Sequence, residues 1–495
     1  MKLLYRTISL SKPKGTDGSR KKSMQQLKQM LLIFVILMIQ GECIAQDSQA
    51  LLEGKWFGRL NAGAVKLRTG LHIIKEGDQY RVDFYSLDQT PDPIPMENVK
   101  YVDNILTFEK LALRLSYSGT LIEDGRKLKG FAVQGLPRQL ILERVDEFPA
   151  LARPQTPRPP FPYASTDVQY KNEKSGLQIA GTLTMSQQGK RLPAAILITG
   201  SGRQDRDETI LGHKPFWVIA DYLSRNGVAV LRVDDRGVGA SEAGDGHETS
   251  RDFATDVEAG VRFLRNHPRI NSRKIWLIGH SEGGYIAAMV AARDRKIEGV
   301  VSLAGTAVSG KDVLIEQNRL IRAAQGVGKG TLDWFMPLYA ELTDIAIEQD
   351  DLEKARSESK EALGRHLSSA PLELRLAGPV LAQEVDAIAQ QLQSKWMKFF
   401  LAHDPAEDWG RTRCHVLAIF GSKDLQVPAS QNAPVMEELL ATRANGCFAI
   451  IEYESLNHLL QHANTGSVSE YGQIEETIAE DVLEQVLQFV LDENR

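Results

Sequence analysis

The sequence predicts an α/β protein: a mostly parallel sheet with helices on both faces, a helical cap insertion, and a small all-β domain ahead of it. Three observations carry this. From about residue 164 onward, apolar strands alternate with amphipathic helices, the pattern of a sheet covered on both faces. Residues 51–147 instead show short alternating runs separated by turn residues. Finally, Gly279-His280-Ser281-Glu282-Gly283 follows the apolar run Lys274–Ile278 and precedes the helix-forming stretch Gly284–Ala292, a strand-turn-helix setting for an exposed serine. With 495 residues, 42% hydrophobic and 25% charged, the composition is ordinary for globular chains and excludes disordered and fibrous classes.

The amino terminus differs from the rest. Residues 1–45 hold eight Lys/Arg against two acids, a net +6, so the remaining chain carries −11 of the overall −5 and does not suit a nucleic-acid partner. The basic start leads into a ten-residue apolar run, Met30–Ile39, half the length needed to span a bilayer. With small residues at Cys43 and Ala45, it reads as a signal peptide over 1–45, cut after Ala45, with Met24 as an alternative start. The expected location is therefore periplasmic or extracellular. Lipidation at Cys43 is the weaker reading, because Glu42 stands where a small residue is expected. The mature chain keeps Cys414 and Cys447, which allow at most one bridge between them.

Residues 47–148 are expected to form a small barrel or sandwich of about eight short strands, between Lys55 and Arg144. A Pro-rich linker over 149–163 reads as a stiff spacer. Beyond it, the α/β core is assigned to 164–304 and 414–495. Its strands are read at Ala194–Thr199, Val228–Val233, Lys274–Ile278, Gly299–Ala304, His415–Phe420 and Phe448–Ile451. Between them, residues 305–413 lack strand patterning and are rich in helix formers, notably Asp344–Arg365 and Val380–Leu401. This is the expected cap.

An elbow serine requires a base, an acid that orients the base, and donors for an oxyanion. Ser281 is the expected nucleophile. Asp424, in Gly421-Ser-Lys-Asp-Leu-Gln-Val-Pro428 after a late strand, is the expected acid, ahead of Glu452 and Glu454. His458, in the loop after the last strand, is the expected base, ahead of His462; His280 is read as a neighbour whose side chain points elsewhere. One oxyanion donor is the backbone N–H of Glu282. The second comes from Thr199-Gly200-Ser201-Gly202, with Ser201 favoured over Gly202. The phosphate-cradling patterns G-x-x-x-x-G-K-[ST] and G-x-G-x-x-G do not occur, nor does H-E-x-x-H or clustered Cys/His spacing, so neither cofactor nor metal is expected. Asp205, Asp207 and Glu208 alternate with arginines and are read as internally ion-paired.

Together, Ile198–Glu208, Gly212–Phe216, Leu231–Gly239, Gly279–Gly284, Phe420–Pro428 and Leu456–His458 resemble the α/β-hydrolase superfamily, and within it the secreted bacterial serine esterases labelled serine aminopeptidase-like hydrolases. The resemblance covers about residues 165–492, with no departure at the catalytic positions. It implies an α/β-hydrolase core acting on a small-molecule ester through an acyl-enzyme, with Asp234–Gly237 buttressing the elbow and Trp396–Pro405 returning the cap to the sheet. Trp56–Gly58 and Ser86–Gln89 with Ile94-Pro95 resemble a β-rich module found on some of these esterases. A peptidase or amidase using the same triad, and a surface or glycan-binding protein with a secondary hydrolase core, are the competing readings, because a triad does not reveal its leaving group.

Overall fold

The computed structural model describes residues 52–492, apart from 63–64, 89–91, 135, 150 and 444–445. The leader-like segment, its alternative start and Cys43 lie outside the described residues. The chain divides into two compact units, residues 52–86 with 92–149, and residues 87–88 with 151–492.

The first unit is a nine-stranded antiparallel sheet running from β1 (Gly54–Ala62) to β9 (Leu136–Val145). Side chains alternate as a half-buried sheet requires: in β8 (Lys127–Gln134), Leu128, Gly130 and Ala132 face inward while Lys129 and Phe131 face out. Trp56, Leu71, Leu106, Leu128 and Leu140 form the core. The sheet has nine strands where about eight were expected. Leu111–Leu113 form a 3-10 turn ended by Arg114 at φ 50°, so β7 begins at Leu115 and continues through Gly119 to Ile122 as one strand. Glu97–Val102 pairs as β5 along the edge.

The second unit is built on an eight-stranded sheet. Its first two strands, β10 (Tyr163–Lys171) and β11 (Gln178–Ser186), are antiparallel and were not expected: β10 is an edge strand with mostly polar, exposed side chains, and β11, though buried, interrupts its apolar residues with Gly181, Thr182 and Thr184. The remaining six, β12 (Leu192–Ile198), β13 (Ala229–Val233), β14 (Ile270–His280), β15 (Gly299–Leu303), β16 (His415–Gly421) and β17 (Phe448–Tyr453), pair in parallel in the order β13-β12-β14-β15-β16-β17. Alternate residues of each strand feed two cores. Ile196, Ile198 and Leu277 pack with the helices Ser250–Asn266 and Glu282–Arg293. Leu197, Trp276 and Ile278 pack with Pro215–Arg225 and Glu480–Leu491.

Arg153 and Gln155 of the Pro-rich segment are pinned to this unit. Arg153 donates to the carbonyls of Leu211, Gly472 and Ile474, and the Gln155 side chain bonds Thr477 and Ile478. Between β15 and β16 lie only helices, from Gly310–Ala324 to Ala406–Arg411. The helical stretch read at Asp344–Arg365 is broken at Gln349–Asp351, because the Asp351 carboxylate caps Lys354 N–H and starts a new helix. Cys414 and Cys447 are free thiols, and Cys447 Sγ contacts His415 Nδ1 at 2.8 Å. Among the described residues, no helix is long and apolar enough to cross a membrane.

Candidate active site

The loops after β12, β14, β16 and β17 all open at the carboxyl edge of the parallel strands, where open α/β sheets bind ligands. Ser281 follows β14 directly at φ 53°, ψ −119°, and the helix Glu282–Arg293 begins at the next residue. A positive φ is costly for a residue with a Cβ, on the order of 1–3 kcal/mol, and persists only where surroundings enforce it. Here Ser281 N–H bonds the Leu303 carbonyl at 2.8 Å and Gly284 N–H bonds the Ser281 carbonyl at 2.9 Å. Glycine is required on either side. A Cβ on Gly279 would lie 2.0 Å from the Gly283 carbonyl oxygen, and one on Gly283 2.1 Å from that of Ile198.

Ser281, partly exposed, lines a cavity of about 660 Å³ together with His458, Gly200 and Ser201. Its far wall comes from the helical insertion, including Val313, Trp396 and Phe400. His458 Nδ1 meets Asp424 Oδ2 at 2.8 Å, with both side chains buried. The other carboxylate oxygen accepts the N–H groups of Gln426 at 2.7 Å and Val427 at 2.9 Å, which fixes its rotamer. A carboxylate at Nδ1 selects the tautomer protonated there and leaves Nε2 as the acceptor. The loop carrying His458 is shaped by fully buried Asn457, whose Oδ1 accepts from Leu459 and Gln461 N–H at 3.0 Å each.

Thus Ser281, Asp424 and His458 come from three loops to one place. Glu452 and Glu454 are exposed on and after β17, and His462 is exposed and bonded to Glu476. For the oxyanion, Glu282 N–H stands at the first helical position beside Ser281. In the turn after β12, Gly200 N–H is taken by Glu208 Oε1 at 2.8 Å, which leaves Ser201 and Gly202 as its candidate donors; Gly202 sits at φ 95°.

The surrounding carboxylates only partly follow the expected pairing. Arg206 binds Asp234 and Asp167, and Asp207 binds Arg232 and Lys214. Glu208, however, pairs with His280 at 3.0 Å. His280 does not point away from the site: its ring packs 4.9 Å from that of His458, and its Nε2 meets the His458 carbonyl at 2.9 Å. The acids of Asp234–Gly237 brace the turn after β12. Asp235 accepts from Thr199 Oγ1 and Gln204 N–H, and its burial raises its carboxyl to about 7, with Glu208 and Glu282 adding to the rise. The Glu282 side chain is also buried; burial raises its pKa, and it accepts from Ser250 Oγ, Trp396 Nε1 and Tyr285 Oη. Sequence reasoning missed the roles of Glu208, His280 and the Glu282 carboxylate. All three lie inside quoted motifs, but the partners that distinguish them, His280 for Glu208, the His458 carbonyl for His280 and Trp396 for Glu282, are distant in the chain. Among the described residues, no cluster of three His, Cys, Asp or Glu is arranged to hold a metal ion.

The profile of the alpha/beta hydrolase family matches residues 195–466. Esterase EstD of Thermotoga maritima is 25% identical over 282 residues; the match spans 57% of this chain and 58% of that protein's length. Among solved structures, the Pyrococcus furiosus esterase Pf2001 is similar at TM-score 0.41 and 13% identity, over 70% of this chain and 97% of that one. The alpha/beta hydrolase GrgF from Penicillium sp. sh18 is similar at TM-score 0.40 and 17% identity, over 66% and 98% respectively.

Proposed function

Because this chain belongs to the alpha/beta hydrolase family, we propose that it is a serine carboxylesterase acting on small or short-acyl esters through Ser281, His458 and Asp424. The observation that carries this reading is the elbow serine at φ 53° sharing one cavity with a buried His458–Asp424 pair. Ser281 Oγ adds to the ester carbonyl as His458 Nε2 takes its proton. The tetrahedral oxyanion is held by the N–H of Glu282 and of Ser201 or Gly202. Collapse breaks the ester C–O bond, and His458 returns the proton to the departing alkoxide. Water then adds to the acyl-Ser281, again deprotonated by His458, and releases the acid.

The ester preference draws support from the esterase activity named for the Thermotoga relative. It also draws on the largely apolar cap wall at Val313, Trp396 and Phe400, which suits an acyl chain better than a charged peptide end. Export by the amino-terminal segment belongs to the same reading. A chain-length series of p-nitrophenyl esters, run on the protein and on Ser281→Ala, tests it. The wild type should favour short acyl chains and outpace arylamide substrates, and Ser281→Ala should lose several orders of magnitude in kcat. Equal rates for the two proteins would refute the assignment.

A further inference from the structure

One buried ionisable pair beside the proposed triad has no step in the mechanism above. Glu208 and His280 are 1% and 6% exposed and meet at 3.0 Å through Oε1 and Nδ1. On one side, the same Oε1 accepts Gly200 N–H at 2.8 Å. Gly200 abuts the elbow so closely that a Cβ there would come within 3.3 Å of Ser281 Cβ. On the other side, His280 Nε2 meets the carbonyl of His458 at 2.9 Å. A carboxylate and a carbonyl only accept hydrogen bonds, so the ring makes both bonds only with a proton on each nitrogen, as an imidazolium. The charged and titratable groups facing it are Glu208 from the turn after β12, Asp424 from the loop after β16 and His458 from the loop after β17. Burial alone would lower this imidazole; the Glu208 carboxylate, with smaller help from the His458 carbonyl and Asp424, outweighs it and lifts the group to about 9.

Resting on the serine-esterase reading, we infer that Glu208 and His280 are positioning residues: an imidazolium–carboxylate bridge that ties the oxyanion turn at Gly200 to the backbone of His458 across Ser281. Neither side chain needs to touch substrate. Each holds a backbone segment whose displacement misplaces a donor or the base, and an error of about 1 Å in such placement costs on the order of 10²-fold in rate. When the ring loses its second proton, one of its two bonds is lost, so turnover should fall at alkaline pH.

The test compares wild type, Glu208→Gln and His280→Gln as full chains, by the rate at which a fluorophosphonate labels Ser281 and by the pH profile of kcat with p-nitrophenyl acetate. Wild type should label at Ser281 and show an alkaline limb near pH 9. Folded Glu208→Gln should label and turn over about 10²-fold more slowly, with KM within about threefold. Its alkaline limb should move down by at least about one pH unit, since the buried ring has lost its counter-ion. In His280→Gln that limb should vanish. A wild type that does not label at Ser281 overturns the esterase reading itself. Labelling at the wild-type rate with an unmoved limb in Glu208→Gln, even with a lowered Tm, overturns the positioning role alone. Should both variants fail to fold, the NMR titration of the His280 ring in wild type decides: protonated at pH 8 supports the bridge, neutral at pH 7 overturns it.

Discussion

The indole N–H of Trp396 donates to the Glu282 carboxylate at 2.9 Å, joining the helical insertion to the residue directly after the elbow serine. Trp396 also stacks on Phe400, with ring centroids 5.7 Å apart, and both line the cavity. Trp396→Phe keeps most of the apolar wall and removes one bond to a buried acceptor, a loss of about 1–3 kcal/mol. We expect a lower Tm and a KM that rises more for longer acyl esters than for acetate. Calorimetry and an acyl-length series check this; an unchanged Tm would mean that the bond contributes nothing.

Asp424→Asn should leave the fold intact while reducing kcat by about 10³–10⁴-fold, because an amide no longer selects the Nδ1-protonated tautomer of His458. The Gln426 and Val427 N–H groups can still bond the amide oxygen, so circular dichroism should match wild type. A loss below tenfold would point to another acid.

Gly283→Ala tests how closely strand and helix must approach behind Ser281. The added methyl would meet the carbonyl oxygens of Ile198 at 2.1 Å and Thr199 at 2.7 Å, and backbone cannot swing aside as a side-chain end can. A destabilisation on the order of 3 kcal/mol or more is expected, read from urea unfolding. A variant as stable as wild type would require a looser elbow than described above.

Asp235 links stability to pH. Its folded carboxyl, raised to about 7 from an ordinary 3.8, keeps its proton where the unfolded chain has already lost it. Between those values the folded state binds more protons, so its contribution is full below about pH 4 and is lost as pH rises toward 7. Asp235→Asn mimics the neutral form. It should flatten the stability profile between pH 5 and 6.5 and be the more stable protein above pH 7, by on the order of a few kcal/mol. The His280 contribution, also lost with rising pH, falls in a different window, between 6.5 and about 9. Urea midpoints at pH 5, 6, 7 and 8 distinguish the two; a slope unchanged by the substitution would exclude Asp235 as its source.

How far the site could be read ahead of the structure depended on whether its signal was local. Ser281 announced itself because an elbow needs small residues within two positions on either side, and Gly279 and Gly283 supply them. The parallel strands were legible for a similar reason: Leu192–Ile198 and His415–Gly421 are buried on both faces and so nearly continuously apolar. Edge strand β10 carried no such mark, since exposed positions accept Ser, Thr and Asp. Glu208 looked like one more acid in an arginine-rich run, and nothing local tells an acid that pairs with Arg206 from one that reaches His280.

By itself the sequence determined the α/β architecture, the strand-turn-helix at Ser281 and the order in which Ser281, Asp424 and His458 follow their strands. Those depend on hydrophobic period and turn chemistry, which act over a few residues. Only the tertiary structure decided that His280 turns back onto the His458 carbonyl, 178 positions away, that Glu208 joins it to Gly200, and that Trp396 reaches Glu282 across 114 positions. Such pairings arise where buried polar groups must find partners after the sheet has closed, and burial makes an unpaired one costly.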